Sequence, residues 1–515
     1  MQSFRCASAA RRWMSAMDIA PDRIADSHAF SFLLRVCDAI EAFTDSQIAQ
    51  DRDVFRPQGI DLRHVVERHL YFEMINNTAL RQGFVAADGG KAPPALAMPL
   101  LLEQAAPFLV EGWRPRSHWH RRLRLAWKGP RWRDRREKFR AAGGARIERA
   151  DWPESDGIIL FHVVQAKFAS FLRPVAEALG RPCAFLVFED PALFAELEGL
   201  PRLHITLDEV GRRLLGIETF GLLEFFATFL NAIVKALAEI RPLCLVVPEG
   251  NSPYNELFNR AGHALGIPSL CIQQGWSPVI HTGFRNMSYD RMCVWGEGFA
   301  QALAPFNPGQ RFVVTGSHVI TPRIRRRGRA AGAIAFFLQA GGSPLITAEA
   351  AKAMLDFAIW AGEQFPEREI RVRPHPGKPL TTEEQARLAA SPNVLIMPAD
   401  TARLEKVLDE ADIAVSIFST TILEAAAAGV IPLIVNVAGL PHYNPDIAGD
   451  GAALEVTDFA AARQALARLA GDQDFADGIG ATLFHIAGRY FAGGGAAAAA
   501  AIAAQIDALA AGVGG

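Results

Sequence analysis

Residues 157–164 read GIILFHVV, residues 183–188 read CAFLVF and residues 203–207 read LHITL. Each is a short apolar run, and the segments between them have the length of a helix. Short apolar strands that alternate with helices are typical of a parallel sheet covered on both faces. The alternation continues at LCLVVPEG (243–250), SLCIQQG (269–275), RMCVWG (291–296) and RFVVTGS (311–317). Residues 151–325 are therefore predicted to form a Rossmann-like domain.

A second series of the same kind comes after a basic stretch, TPRIRRRGRAAG (321–332), which contains Pro and Gly and is predicted to be the interdomain crossing. Its apolar runs are AIAFFLQ (333–339), REIRVRPHP (368–376), NVLIM (393–397), IAVSIF (413–418) and IPLIVNV (431–437). Residues 326–490 are predicted to form a second Rossmann-like domain. The predicted fold class is α/β, with two Rossmann-like domains facing each other across a cleft.

The two ends of the chain lack this alternation. Residues 1–150 show helical patterns at 29–43, 62–76 and 96–110, which predict a helical, partly basic N-terminal appendage. Residues 491–515 are mostly Ala and Gly, with Ile502, Ile506 and Leu509 at helical spacing. This Ala/Gly-rich C-terminal tail is predicted to be either a closing helix with a frayed end or low-complexity sequence.

Half of the 515 residues are hydrophobic and the formal net charge is -2, which excludes a protein that is basic overall. Residues 113–140, in contrast, hold ten Arg and two Lys against Asp134 and Glu137, and they contain four of the nine tryptophans. Arg with Trp is a composition that settles at a membrane surface, so we expect peripheral contact with anionic lipid. The alternative is that the tryptophans pack on the first domain and the arginines are solvated. Nucleic acid is not expected as a partner, because no nucleic-acid-binding motif accompanies the stretch.

The six cysteines are scattered without a CxxC pair, which favours reduced thiols in a cytoplasmic protein. The basic start lacks the apolar segment of a secretory signal, although a transit peptide or a misplaced start codon stays open. The longest apolar segment, residues 220–240, is interrupted by charged residues and is predicted to be an amphipathic or buried helix.

Ligands of open parallel sheets bind at the carboxyl ends of the strands, so the residues directly after each strand are candidates for the site. RVRPHPGK (371–378) ends an apolar strand. Arg373, His375, Pro376 and Lys378 in this stretch are predicted to bind a donor phosphate, since a His between two prolines has a restricted backbone beside two cations. The alternative is a rigid surface turn.

Two further strand ends in the second domain are candidates for phosphate binding. SIFSTTILEAAAAGVIP (416–432) leads Ser419, Thr420 and Thr421 into a helix start, where hydroxyls and free N–H groups can bind an anion. Glu424, one turn later, could accept hydrogen bonds from ribose hydroxyls. QAGGS (339–343) is a turn in which the backbone of Gly341, Gly342 and Ser343 could approach phosphate. The alternatives are ordinary helix capping and an ordinary turn.

In the first domain, VVPEGNSPYNELF and SLCIQQGWSPVIHTGF end consecutive strands. Glu249 is the candidate general base for an acceptor hydroxyl, and His162 or His281 would be the alternative base. Gln274, Trp276 and His281 are predicted to position the acceptor sugar. A helix-capping role for Glu249 is the competing interpretation.

Together, the stretches 246–275, 291–299, 311–317, RPHP (373–376) and FSTTILEAAAAGVIPLI (418–434) resemble the surface-carbohydrate glycosyltransferases of the GT-B fold. More narrowly, PEG, HP and ST occur in the order of the acidic-Gly, His-Pro and Ser-Ser/Thr motifs of bacterial sialyltransferases, polysialyltransferases and capsule Kdo transferases. This resemblance implies that His375 contacts the donor phosphate, that Ser419 and Thr420 bind it from the helix start, and that Glu249 lies in the acidic-Gly site.

The resemblance implies a glycosyltransferase that moves a sugar, such as a CMP-activated nonulosonic acid or Kdo, from a nucleotide-sugar donor to a surface glycan or glycolipid of the capsule or lipopolysaccharide type. No cofactor is expected, because the nucleotide-sugar is a co-substrate, and no metal is expected, since no DxD pair is placed after a strand. The alternatives are a CDP-polyol phosphotransferase of the teichoic-acid type, a sugar-nucleotide epimerase, and a binding module without catalysis.

Overall fold

The computed structural model describes residues 37, 40–42, 44–45, 55–76, 143–155, 157–215, 222–276, 283–322, 332–339, 341, 346–398, 402–409, 411–417, 419–437 and 447–512. The basic stretch 113–140 and the predicted helix 96–110 lie outside these residues. None of the described helices is long and apolar enough to cross a membrane.

Fourteen strands occur in the described residues, in two sheets. The strands are β1 (Ala145–Ala150), β2 (Ile159–His162), β3 (Cys183–Phe188), β4 (Arg202–Leu207), β5 (Cys244–Pro248), β6 (Ser269–Ile272), β7 (Arg291–Val294), β8 (Phe312–Val314), β9 (Ala333–Phe337), β10 (Ile370–Arg373), β11 (Val394–Ile396), β12 (Ala411–Ser416), β13 (Ile431–Val435) and β14 (Leu454–Val456).

The described α-helices flank and connect these strands. They are α1 (Arg63–Asn76), α2 (Ala166–Ala178), α3 (Pro191–Glu196), α4 (Glu209–Leu215), α5 (Leu222–Ile240), α6 (Pro253–Ala264), α7 (Glu297–Leu303), α8 (Ala348–Gln364), α9 (Thr382–Ala389), α10 (Leu404–Leu408), α11 (Thr420–Ala427), α12 (Phe459–Gly471), α13 (Gln473–Tyr490) and α14 (Gly495–Ala511).

The first sheet has the order β1-β4-β3-β2-β5-β6-β7-β8, and the second has the order β11-β10-β9-β12-β13-β14. All pairs are parallel except β1 with β4, which is antiparallel. In each sheet the first parallel strand along the chain, β2 or β9, lies in the interior of the sheet. The next strands are added on one side of it and the later strands on the other side, which is the Rossmann order. The prediction of two Rossmann-like domains is confirmed. The strand order reverses between β2 and β5 in the first sheet and between β9 and β12 in the second.

The N-terminal prediction needs a correction. The predicted helical appendage includes residues 145–150, but these form β1, which extends the first sheet by pairing with β4. The sequence of β1, ARIERA, alternates in exposure because an edge strand keeps one face in solvent, so it lacks the continuous apolar run that identifies the inner strands.

Helix α1 confirms a helical pattern upstream of the first sheet, and a buried ion pair attaches it to α6. Arg68 Nη1 donates to Glu256 Oε2 at 2.6 Å, and Arg260 Nε donates to the other carboxylate oxygen at 2.7 Å. Both Arg68 and Glu256 are almost fully buried. Burial opposes ionisation, but the two guanidinium groups outweigh it and lower the pKa of Glu256 to about 2. The pair therefore stays charged at neutral pH.

The C-terminal tail is a helix rather than low-complexity filler. Ile502 and Ile506 on α14 are buried among apolar side chains of the first domain, beside Phe168 and Leu172 of α2. The chain reaches α14 along a narrow crossing, in which Ser317 N–H donates to Gly493 O at 3.1 Å and Gly495 N–H donates to Ser317 O at 3.0 Å. A Cβ at Gly494 would lie 2.3 Å from Ile320 O, so only glycine fits there.

One apolar core includes side chains of both domains. Trp276, Trp295 and Phe299 from the first domain share it with Ile422 and Leu423 from α11. Of the five cysteines among the described residues, Cys37, Cys244, Cys271 and Cys293 are buried and Cys183 is half-buried.

Candidate functional site

The turn after β5 carries Glu249 at the point where the strand order of the first sheet reverses. Glu249 has a φ of +66° and Gly250 a φ of +88°, so two consecutive residues are in the left-handed region. Such a conformation is unfavourable for a non-glycine residue and often marks a functional site. Packing holds it in place: a Cβ at Gly250 would lie 2.7 Å from Cys271 Sγ, and Glu249 N–H donates to Ile272 O at 2.9 Å.

The Glu249 carboxyl is half-buried and makes no hydrogen bond to another described residue. Burial raises its pKa, and the positive charge of Lys167, in the first turn of α2, opposes that rise. A carboxylate with a raised pKa is a stronger proton acceptor, which suits a general base. Sequence reasoning missed Lys167 because the interaction joins two segments that come after different strands.

His162, the alternative base, is buried and bonded to Asn255. Its Nδ1 lies 2.7 Å from Asn255 Oδ1, and Asn255 Nδ2 donates to Pro248 O at 2.6 Å. Burial lowers the pKa of His162 to about 4, so the ring is neutral at physiological pH and donates from Nδ1. The pair supports the backbone directly before Glu249. His281 lies outside the described residues.

The loop after β6 reads QQGW, and its residues have different environments. Gln273 is buried, and its Oε1 accepts a hydrogen bond from Trp295 N–H at 3.0 Å. Gln274 is half-buried, and its side chain bonds to no other described residue. Trp276, which was predicted to position sugar, is only 7% exposed, and its ring packs 5.1 Å from the Phe299 ring in the shared core.

In the second domain, His375 is exposed at the end of β10, whereas the preceding Pro374 is buried. Gly377 N–H donates to His375 Nδ1 at 3.1 Å, and Lys378 N–H donates to His375 O at 2.9 Å. Because Nδ1 accepts a hydrogen bond, a neutral ring carries its proton on Nε2. The turn therefore presents an N–H donor to solvent, with the exposed Pro376 and Lys378 beside it.

A shallow pocket joins this turn to the end of β9. The polar residues in its wall are Gln339, Lys352, His375, Lys378 and the carboxylate residue Glu384. Lys352 was not among the predicted site residues; its position one turn into the helix after β9 is the signal that could have identified it. Gly341 lies against the start of α8, where a Cβ would lie 2.9 Å from Ala351 Cβ. Gly342 and Ser343 lie outside the described residues.

Arg373 and Glu424 are close enough for their charges to interact. Burial lowers the pKa of Arg373, and the charges of Glu424 and Glu405 oppose that shift. Burial also raises the pKa of Glu424 to about 7, with a further contribution from the negative charge of Glu405. Arg373 donates to Ala402 O as well. Glu424 is half-buried, and its charge interacts with those of Arg373 and Glu405.

Helix α11 begins with three hydroxyl residues that have different partners. Ser419 is the N-cap: its Oγ accepts from Thr421 N–H at 3.1 Å, and it donates to Thr421 Oγ1 at 2.9 Å. Thr420 Oγ1 instead donates to Trp276 O at 2.9 Å and accepts from Trp276 N–H at 3.2 Å. The Thr420 hydroxyl thus bonds across the domain interface.

The structure groups the predicted residues into four sets. Glu249 lies with Lys167 in the first domain, His375 shares a pocket with Lys378, Arg373 interacts with Glu424, and the QQGW loop contacts Thr420. The last contact connects a residue expected on the acceptor side with one expected on the donor side.

No family model matches the chain, and no curated protein matches it. Solved structures are similar in shape at low identity. UDP-GlcNAc 2-epimerase from Neisseria meningitidis is 12% identical, with 69% of this chain and 99% of that chain covered and a TM-score of 0.45. MurG from Acinetobacter baumannii is 16% identical, with 69% and 100% covered and a TM-score of 0.44. Sucrose-phosphate synthase from Thermosynechococcus elongatus is 13% identical, with 69% and 99% covered and a TM-score of 0.40.

Proposed function

We propose that the protein is a glycosyltransferase that moves a sugar from a nucleotide-sugar donor to a hydroxyl of a surface glycan or glycolipid. The observation that supports this most is the division of chemistry between two Rossmann-like domains. A carboxylate with a raised pKa lies at the strand-order reversal of the first domain, and uncommitted N–H donors lie at the strand ends of the second.

In this mechanism Glu249 takes the proton of the acceptor hydroxyl as its oxygen bonds to the anomeric carbon of the donor sugar. The bond from that carbon to the phosphate oxygen breaks, and its electron pair stays on the departing nucleotide. His375 Nε2–H, the Lys378 ammonium group and the N–H groups at the start of α11 would stabilise the added negative charge. The Arg373 guanidinium would also stabilise this negative charge. No step requires a metal ion, so we expect activity to persist in EDTA.

Glu424 is proposed to bind the ribose of the nucleotide when it is ionised, and the backbone around Gly341, Gly342 and Ser343 to approach the phosphate. Gln274 and His281 are proposed to bind on the acceptor side. A CMP-activated nonulosonic acid or Kdo donor is the finer form of this proposal, and it rests on the order of the PEG, HP and ST motifs.

The test is thermal unfolding with CMP, CDP, UDP and their sugar derivatives, followed by product analysis with the derivative that binds. A ligand bound only by the folded state raises the melting temperature. Transfer of a sugar with release of the nucleotide supports the proposal. Transfer of polyol phosphate from a CDP-polyol, or epimerisation of a UDP-sugar without an acceptor, replaces it with one of the alternatives. The absence of any nucleotide-dependent shift contradicts it.

We also propose that residues 113–140 hold the enzyme at an anionic membrane surface near lipid-linked acceptors. Each basic residue near an anionic leaflet contributes about 1 kcal/mol. Co-sedimentation with phosphatidylglycerol vesicles is expected to decrease with salt and to be absent with phosphatidylcholine alone. Equal binding to both vesicles, or to neither, contradicts electrostatic docking.

A further inference from the structure

The interface between the two domains includes a pair of hydrogen bonds made by one hydroxyl. Thr420 Oγ1 donates its proton to Trp276 O at 2.9 Å and accepts from Trp276 N–H at 3.2 Å. A hydroxyl has one proton to donate, and an ionised phosphate only accepts hydrogen bonds. The Thr420 side chain is therefore committed to the first domain and has no proton for a donor phosphate.

The contact with Thr420 includes Gly275 as well as Trp276. A Cβ at Gly275 would lie 3.2 Å from Thr420 Oγ1, which is tighter than an ordinary contact. The Trp276 ring is buried beside Phe299, in the same core that contains Ile422 of α11. The loop therefore rests directly on the first turn of α11.

The loop is anchored at its other end within the first domain. Gln273 is buried, its Oε1 accepts from Trp295 N–H at 3.0 Å, and Trp295 Nε1 donates to Gln273 O at 3.0 Å. Gln274 lies between the two anchored ends, half-buried, and its amide bonds to no other described residue. An anchored loop with one uncommitted amide is suited to ligand recognition, because its backbone is ordered before binding.

We propose that Thr420 is a positioning residue, whose hydroxyl holds the first domain's loop 273–276 on the start of α11 and thereby places the Gln274 amide at the nucleotide site. This inference rests on the proposed function and refines it in two ways. The Thr420 side chain is reassigned from donor ligand to interdomain link, and Gln274 is reassigned from the acceptor side to the boundary between acceptor and donor.

The first experiment does not depend on activity. Amide hydrogen exchange at Trp276 is measured in the wild-type protein, in Thr420→Val, which keeps the side-chain shape without the hydroxyl, and in Thr420→Ser, which keeps the hydroxyl. Loss of a single hydrogen bond corresponds to roughly two- to tenfold faster exchange in Thr420→Val, with near wild-type exchange in Thr420→Ser. Thr482→Val, in which an α13 hydroxyl bonded to Gly478 O is lost, is the matched control. Unchanged exchange in Thr420→Val overturns the link.

The second experiment tests what the link positions. The dissociation constants of CMP, CDP and UDP are measured by calorimetry for Thr420→Val, Gln274→Ala and the double variant. We expect each single change to raise the dissociation constant of the nucleotide that binds by about tenfold. The double variant should bind little more weakly than either single variant, because the Thr420 hydroxyl is proposed to act only by positioning the Gln274 amide. Thr420→Ser should restore most of the affinity.

The outcomes separate the two proposals. The positioning role is overturned if the losses of nucleotide affinity in the two single variants add up in the double variant. It is also overturned if Thr420→Ser binds the nucleotide as weakly as Thr420→Val. Both outcomes are compatible with nucleotide binding by the wild-type protein. If the wild-type protein binds none of the three nucleotides, the proposed function fails and so does the placement of Gln274, whereas the exchange experiment still decides whether Thr420 holds the loop.

Discussion

The strand ends of the two domains use polar side chains in opposite ways. In the first domain His162, Asn255 and Gln273 are buried and bonded to one another or to the backbone, whereas the Glu249 carboxyl and the Gln274 amide bond to no other described residue. In the second domain His375 and Lys378 are exposed, and their side-chain N–H groups are directed to no acceptor among the described residues. A rigid edge that presents one carboxylate suits proton transfer, and an open edge with several donors suits binding of a multiply charged ligand.

The largest effect is expected at the rigid edge. Glu249→Gln removes the proposed base and should lower kcat by roughly 10²- to 10⁴-fold, with little change in nucleotide affinity. Steady-state kinetics and calorimetry check this. Glu249→Gly is the companion variant, because it also removes the carboxyl but relieves the left-handed backbone at φ +66°. If Glu249→Gly is as inactive as Glu249→Gln but more stable, the loss of activity is due to the missing carboxyl and not to a change in backbone strain. If donor binding collapses instead, Glu249 is a donor ligand.

A second large effect concerns the stability of the first domain. Arg68→Ala leaves Glu256 buried with one cation fewer, which should reduce the free energy of unfolding by about 3–5 kcal/mol. Denaturant unfolding measures it. The control is Arg149→Ala, whose pair with Glu239 is exposed and should contribute about 0–1 kcal/mol. If the two variants lost similar amounts of unfolding free energy, burial would not be the reason for the contribution of the Arg68–Glu256 pair.

At the open edge, His375→Ala should lower turnover by about 100-fold because a hydrogen-bond donor to the leaving phosphate is lost. Since the side chain is exposed, the melting temperature should stay within about 2 °C of the wild-type value. His485→Ala, in which another exposed histidine on α13 is removed, serves as the control. Unchanged turnover in His375→Ala would remove the histidine from the phosphate site.

The smallest effect is a pH dependence at Glu424. Its folded pKa is about 7 and its ordinary pKa is 4.5, so the folded state retains a proton that the unfolded state releases between these values. The wild-type protein therefore loses stability as the pH rises through this window, and the loss of unfolding free energy reaches its full value above pH 7. Glu424→Gln cannot ionise and should be about 1–3 kcal/mol more stable than wild type at pH 8, but nearly equal at pH 4.5. The same gain at both pH values would contradict a half-buried Glu424 that ionises with a raised pKa.

The strand ends that carry the candidate residues could be predicted because inner parallel strands are buried on both faces. Runs such as 157–164 and 333–339 are apolar throughout for that reason, and the residue after each run must lie at the carboxyl edge of a sheet. His375, Glu249 and Ser419 are identified in this way, without knowledge of their neighbours. The edge strand β1 escapes detection because one of its faces is in solvent.

The sequence by itself determined the two-domain α/β fold and the chemistry available at the strand ends, because both depend on local patterns of apolar residues and on the polar residues directly after them. Only the tertiary structure decided which of those residues are free to act. Thr420 and Trp276 are 144 residues apart and Arg68 and Glu256 are 188 apart, so their pairing leaves no periodic signal in the chain. The Trp276 ring is buried by surfaces from both domains, and such burial is a property of their contact rather than of either sequence segment.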